Sequence, residues 1–116
     1  MIAFLLQAHT MTDHPIDRLF ATIAARRGAD PSSSYTAKLL HDGIARCAKK
    51  LGEESVEAAL AAVSGDKQAL TAESADVLYH LLVVWAAAGI TPADVYAALV
   101  AREGQSGIAE KNSRKT

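Results

Sequence analysis

Apolar residues recur at helical spacing along most of this 116-residue chain. Ile16, Leu19, Phe20 and Ile23 lie three and four apart, which predicts a first helix beginning between Asp13 and Pro15. Asp13 is its capping candidate, Pro15 suits the first turn, and Arg26-Arg27-Gly28 supplies the stop. Gly28 to Ser34 reads as a loop, with Ser32-Ser33-Ser34 leading into a cap. A short helix follows from about Thr36 to His41, ending at Asp42-Gly43. Ile44 to Val63 is a long amphipathic helix. Its apolar stripe runs Ile44, Cys47, Ala48, Leu51, Ala58 and Ala62, with Ser55 in register. Ser64-Gly65-Asp66 makes a turn so short that the next helix, about Lys67 to Ala88, must return antiparallel. Gly89 stops that helix, and Thr91-Pro92 opens another with Val95, Ala98 and Leu99 on its apolar side.

The fourth helix changes character along its length. Val77 to Ala88 is apolar almost all round apart from Tyr79 and His80, and such a helix must be covered on several sides. One short chain covers it with difficulty, so a homo-oligomer is expected. The fold class is all-α, an antiparallel bundle of about five helices. Residues 1–12 form an N-terminal arm expected to be dispensable for chemistry, 13–102 the domain, and 103–116 a polar tail.

Composition supports this reading. The chain has 24 Ala and 12 Leu and only 5% aromatics, which favours helix over sheet. Its formal net charge of −1 supplies no basic field for nucleic acid or a membrane surface. Cys47 is the only cysteine, so neither an internal disulfide nor a cysteine-based zinc site can form. The start lacks the basic flank and apolar length of an export signal, and Leu81 to Ile90 is half a membrane span. A cytosolic location is expected.

Candidate chemistry lies on the two long helices. At about 100° per residue, Arg46, Lys50, Glu53, Glu54 and Glu57 share one arc beside the apolar stripe. On the antiparallel neighbour Glu73, Asp76 and His80 share another. Five carboxylates can therefore face one another, and like charges raise each other's pKa unless a cation joins them. Carboxylate oxygens suit Mg²⁺ or Mn²⁺, ions that also engage substrate phosphates, and Arg46 and Lys50 add positive charge for those phosphates. The plainer alternative is a solvated face with Lys49–Glu53 and Lys50–Glu54 pairs. Asp76 argues against it, because a carboxylate at the edge of an apolar run is costly unless paired or metal-bound. His80 reads as a hydrogen-bonded structural residue, Tyr79 and Trp85 as core or interface, and Arg26-Arg27 as a helix-end pair.

Several segments resemble the phosphoribosyl-ATP pyrophosphohydrolase family. They are Ser34-Tyr35-Thr36-Ala37, Gly43, Lys50-Leu51-Gly52-Glu53-Glu54 with Glu57, and Glu73-Ser74-Ala75-Asp76-Val77-Leu78-Tyr79-His80-Leu81-Leu82. The acidic spacing alone marks only the broader all-α nucleotide pyrophosphohydrolase superfamily. The Ser-Tyr-Thr-Ala and Tyr-His-Leu-Leu runs are more specific. The resemblance runs from about Pro15 to Arg102. It implies a nucleotide-binding hydrolase of histidine biosynthesis, converting phosphoribosyl-ATP to phosphoribosyl-AMP and pyrophosphate with Mg²⁺. A homodimer completing the bundle is implied too, as is a separate cyclohydrolase for the next step. Under the resemblance Glu53, Glu54, Glu57, Glu73 and Asp76 hold metal and phosphate chain, with Glu53 the choice for water activation. Arg46 and Lys50 contact phosphate, and Ser34, Tyr35, Thr36 and Lys38 contact substrate. Two other readings compete: a house-cleaning nucleoside triphosphate pyrophosphohydrolase, and a helical dimerisation module without catalysis.

Overall fold

Four of the five described helices begin at a residue whose side chain caps them. The structure is a computed structural model describing residues 14–105 and Arg114. Asp13, residues 1–12 and most of the expected tail lie outside the described residues. Helix α1 spans Pro15–Ala25, α2 Tyr35–Asp42, α3 Ile44–Ser64, α4 Lys67–Ala88 and α5 Pro92–Ala101. The described residues contain no strand.

The cap of α1 is His14, whose Nδ1 accepts a hydrogen bond from the Ile16 amide at 3.2 Å. Helix α2 begins at Tyr35 because Ser34 caps it, its hydroxyl oxygen accepting from the Ala37 amide at 3.1 Å. A single residue, Gly43, separates α2 from α3. Its φ of 101° lies where side-chain-bearing residues rarely sit, so glycine permits the abrupt change of direction. Asp66 caps α4, and Thr91 with Asp94 forms a reciprocal capping box on α5.

Helices α3 and α4 form a long antiparallel hairpin around the turn at Gly65. Counting equal steps outward from that turn pairs Glu57 with Glu73, Glu54 with Asp76, Lys50 with His80 and Cys47 with Val83. The far end of the hairpin is enclosed by α1 and α2. There Ile23, Leu39, Cys47, Leu82 and Val83 are essentially inaccessible and form the core with Ala86. Each large apolar side chain buried this fully contributes about 1.5–3 kcal/mol. The Cys47 thiol donates to the Leu39 carbonyl at 3.2 Å, tying α3 to α2. Arg27 donates to the Ala86 carbonyl, placing a cation at the C-terminal end of α4.

Among the described residues the hairpin is only two helices thick toward the turn, and Val56, Leu60 and Val63 are exposed at 59%, 64% and 87%. The stripe expected on α3 is accordingly rotated. Cys47, Leu51 and Ala58 face inward as expected, but Ile44, Ala48, Ser55 and Ala62 are exposed, while Lys50, Glu54 and Ala61 are half-buried. Alanine and serine differ too little in polarity to fix the phase of a helix face. On α5 Val95 is half-buried and Leu99 is exposed, and the contact with α1 is made by Tyr96, whose hydroxyl donates to Asp17 at 3.1 Å. No single described helix is long and apolar enough to cross a membrane.

Candidate functional site

The hairpin register decides which acidic side chains meet. Glu54 and Glu57 lie a turn apart on α3, and Glu73 faces them from α4. One carboxylate oxygen from each lies within 4.8 Å of the other two. Glu54 and Glu73 are half-buried and Glu57 is exposed, so the group opens to solvent along one side. Among the described residues, Oε2 of Glu73 is enclosed with no hydrogen-bond partner.

Burial first, then the charge of Glu57, holds the Glu54 carboxyl above its ordinary range, and Asp76 and Glu73 add to the effect. Glu73 is pushed up by burial, then by Glu57 and Asp76. Asp76 is exposed and acts on both from one turn along α4. Glu53 stands outside the three-carboxylate group. It reaches the Lys50 ammonium at 3.8 Å, so the ion pair formed is Lys50–Glu53 rather than Lys50–Glu54.

This donor set fits a hard divalent cation. Mg²⁺ binds oxygens at about 2.1 Å, so opposite ligands stand about 4.2 Å apart, within small side-chain adjustments of the spacing present. The enclosed, unpartnered Glu73 oxygen would gain a partner, and mutual repulsion would be relieved.

The other residues singled out in the sequence fall into two sets. Lys50 is half-buried on the inward side of α3, whereas Arg46 is exposed. Ser34, Thr36 and Lys38 each have a partner within the chain: Ser34 caps α2, Thr36 is hydrogen-bonded to the Tyr79 hydroxyl, and Lys38 pairs with Asp42 at 3.3 Å. Tyr35 is 53% exposed and meets His80 edge-to-face, with ring centroids 6.3 Å apart.

Tyr79 packs against the core as its sequence context suggests, whereas His80 differs from the hydrogen-bonded residue expected. His80 is only 6% exposed, packs against the Tyr79 ring at 4.9 Å, and its Nδ1 has no hydrogen-bond partner among the described residues. Burial, then Lys50, lowers its pKa, while Asp76 and Glu53 pull it back up. Its i+7 spacing from Glu73 was the available signal. A cavity of about 250 Å³ between the α1–α2 loop and α2, lined by Arg27, Pro31, Leu40 and His41 among others, shares no residue with the carboxylates.

Comparison with known proteins places this constellation in a family. Residues 16–103 match the family model for phosphoribosyl-ATP pyrophosphohydrolase. A phosphoribosyl-ATP pyrophosphatase of Azospirillum brasilense is 61% identical over 101 residues, covering 87% of this chain and 91% of the relative. That of Parvibaculum lavamentivorans is 62% identical over 99 residues, or 85% of this chain and 91% of its own length. That of Dinoroseobacter shibae is 63% identical over 97 residues, covering 84% and 95%. The match runs through all five described helices and every acidic position of the hairpin, and the chain therefore belongs to the phosphoribosyl-ATP pyrophosphohydrolase family of hydrolases.

Proposed function

We propose that this chain hydrolyses phosphoribosyl-ATP to phosphoribosyl-AMP and pyrophosphate, the second step of histidine biosynthesis, in a Mg²⁺-dependent reaction. The observation that carries the metal requirement is the gathering of Glu54, Glu57 and Glu73 within 4.8 Å, with one Glu73 oxygen enclosed and unpartnered. Family membership supports the substrate.

Glu54, Glu57 and Glu73 would hold the cation. When bound, Mg²⁺ neutralises phosphate charge and stabilises the leaving pyrophosphate. Lys50 and Arg46 lie toward the His80 end of the hairpin and supply positive charge for the phosphate of the phosphoribosyl group there. Glu53 and Asp76, outside the three-carboxylate group, are left to orient the attacking water and accept its proton. Water adds at phosphorus, the anhydride between the α and β phosphates breaks, and pyrophosphate departs. Thr36 ties α2 to α4 through Tyr79 and Ser34 caps α2, while Tyr35 and Lys38 meet the substrate from the first turns of that helix.

The reading includes a homodimer acting in the cytoplasm. Val56, Leu60 and Val63 leave an apolar strip on a hairpin only two helices thick, which a second copy would cover.

The test is pyrophosphate release from enzymatically prepared phosphoribosyl-ATP, with Mg²⁺ and with EDTA, against ATP and dUTP. Release from phosphoribosyl-ATP alone, abolished by EDTA, is the expected result. Release chiefly from the free triphosphates would move the chain to a house-cleaning role and overturn the assignment.

A further inference from the structure

The hairpin has two distinct poles. One is the carboxylate group at Glu54, Glu57 and Glu73. The other lies around His80, seven residues past Glu73 and so about 10 Å along the same face of α4. Three observations mark this second pole. His80 Nδ1 is buried without a partner, a costly state for a polar atom. Tyr35, half exposed at the first turn of α2, stands edge-on to the imidazole. Thr36 and Tyr79 are hydrogen-bonded beside it, fixing α2 against α4.

Nothing in the metal chemistry uses these groups. An exposed aromatic ring beside an unsatisfied imidazole is suited to a flat heteroaromatic ligand, which gives the ring a stacking surface and the imidazole a hydrogen-bond partner. A nucleotide whose phosphates lie at the carboxylate pole extends its ribose and base along the hairpin toward His80.

We infer that Tyr35 and His80 form the base-recognition end of the site, Tyr35 stacking on the purine ring and His80 hydrogen-bonding to the ring or its adjoining ribose. This rests on the proposed nucleotide substrate and deepens it. Admitting the base requires Tyr35 to swing from its edge-on position, a low-cost motion for an exposed side chain. The neutral imidazole offers one donor and one acceptor nitrogen, whereas the flanking Lys50 ammonium can only donate.

The experiment compares the full chain with Tyr35→Ala and His80→Phe. Three quantities are read: KM and kcat for phosphoribosyl-ATP, inhibition by tripolyphosphate, and the rise in Tm caused by Mg²⁺. Tripolyphosphate carries phosphates but no base. Each variant is expected to raise KM about tenfold or more while kcat falls less, the scale of one lost polar or stacking contact. Tripolyphosphate inhibition and the Mg²⁺-induced rise should be unchanged. His80→Phe should melt no lower than the wild type, since it removes an unsatisfied atom. An unchanged KM in Tyr35→Ala, which cannot be blamed on misfolding at an exposed position, overturns the inference. Equal weakening of tripolyphosphate inhibition does so too, because the groups would then serve the phosphates. If the wild type itself leaves phosphoribosyl-ATP intact, the proposed function fails first and the inference falls with it.

Discussion

Glu57 on α3 lies against Glu73 on α4, and its negative charge adds to the burial that already holds the Glu73 carboxyl above its ordinary range. The contact is unfavourable in the chain alone, yet the hairpin register enforces it. A carboxyl whose pKa is raised on folding binds its proton more tightly folded than unfolded. Between the unfolded and folded pKa values stability therefore falls as pH rises, and the loss persists above both. Glu54 is shifted in the same direction. Chelator-treated protein is expected to melt lower at about pH 7 than at about pH 5, and Mg²⁺ should recover most of the difference. His80, lowered by burial and then by Lys50, works in the opposite direction across this range, because the stability of its neutral imidazole is lost as pH falls through the ordinary imidazole value. The comparison with Glu73→Gln isolates the site: that variant should show a flatter melting profile across the same pH range.

The acidic residues should separate by role when varied singly. Glu54→Gln removes a ligand from the three-carboxylate group and is expected to lower kcat/KM by about 100-fold or more, with a weaker Mg²⁺-induced rise in Tm. Asp76→Asn and Glu53→Gln should also reduce turnover but leave that rise largely intact, since neither belongs to the group. Isothermal titration with Mg²⁺ beside steady-state rates distinguishes the two patterns. Wild-type turnover by Glu53→Gln would assign the water to Asp76.

Much of this arrangement could be read before folding. The turn at Gly65 and the spacing of Glu57, Glu54 and Lys50 behind it, against Glu73, Asp76 and His80 ahead, place the charged residues opposite one another once the helices are antiparallel. Caps at Ser34 and Thr91 were legible because their side chains act on the next few amides, whereas Asp66, read only as part of the turn, also caps α4. What was not legible depends on contacts distant in sequence. The face of α3 near Ala58 to Ala62 is ambiguous because small side chains lie on every side. The separation of Glu53 from its neighbours follows from Lys50, which can reach either Glu53 or Glu54 by helical spacing and takes the former. The partnerless state of His80 depends on how Tyr35 and Tyr79 enclose it.

The hydrogen bond between Thr36 and the Tyr79 hydroxyl ties α2 to α4 beside the site. Its environment pushes the Tyr79 phenol upward through burial, opposed by Thr36, so the hydroxyl keeps its proton throughout the neutral range. Tyr79→Phe and Thr36→Val should each cost about 1 kcal/mol, the usual net value of one such bond. Denaturant unfolding of the double variant should cost less than the sum, because the second change finds no bond left to break. Strict additivity would show that the two side chains contribute through packing alone.

Cys47 offers a readout of the core independent of catalysis. It is inaccessible among Ile23, Leu39, Leu82 and Val83, and its thiol donates to the Leu39 carbonyl at 3.2 Å. Burial raises the thiol pKa, with a smaller contribution from Asp42, while its own backbone amide and Arg27 act in the other direction. The thiolate is the reactive form, so a raised pKa and enclosure both suppress attack on an aromatic disulfide at about pH 8. Native protein should release almost no chromophore, and denatured protein one equivalent per chain. Labelling as the chain opens then reports how often α2 and α4 separate from α3. Cys47→Ala, which leaves no thiol to label, should cost about 1–2 kcal/mol in denaturant unfolding, since it removes the thiol contact and leaves a small void. Rapid labelling of the native chain would mean instead that the end of the hairpin enclosed by α1 and α2 opens readily, and the core would then offer the site little rigidity.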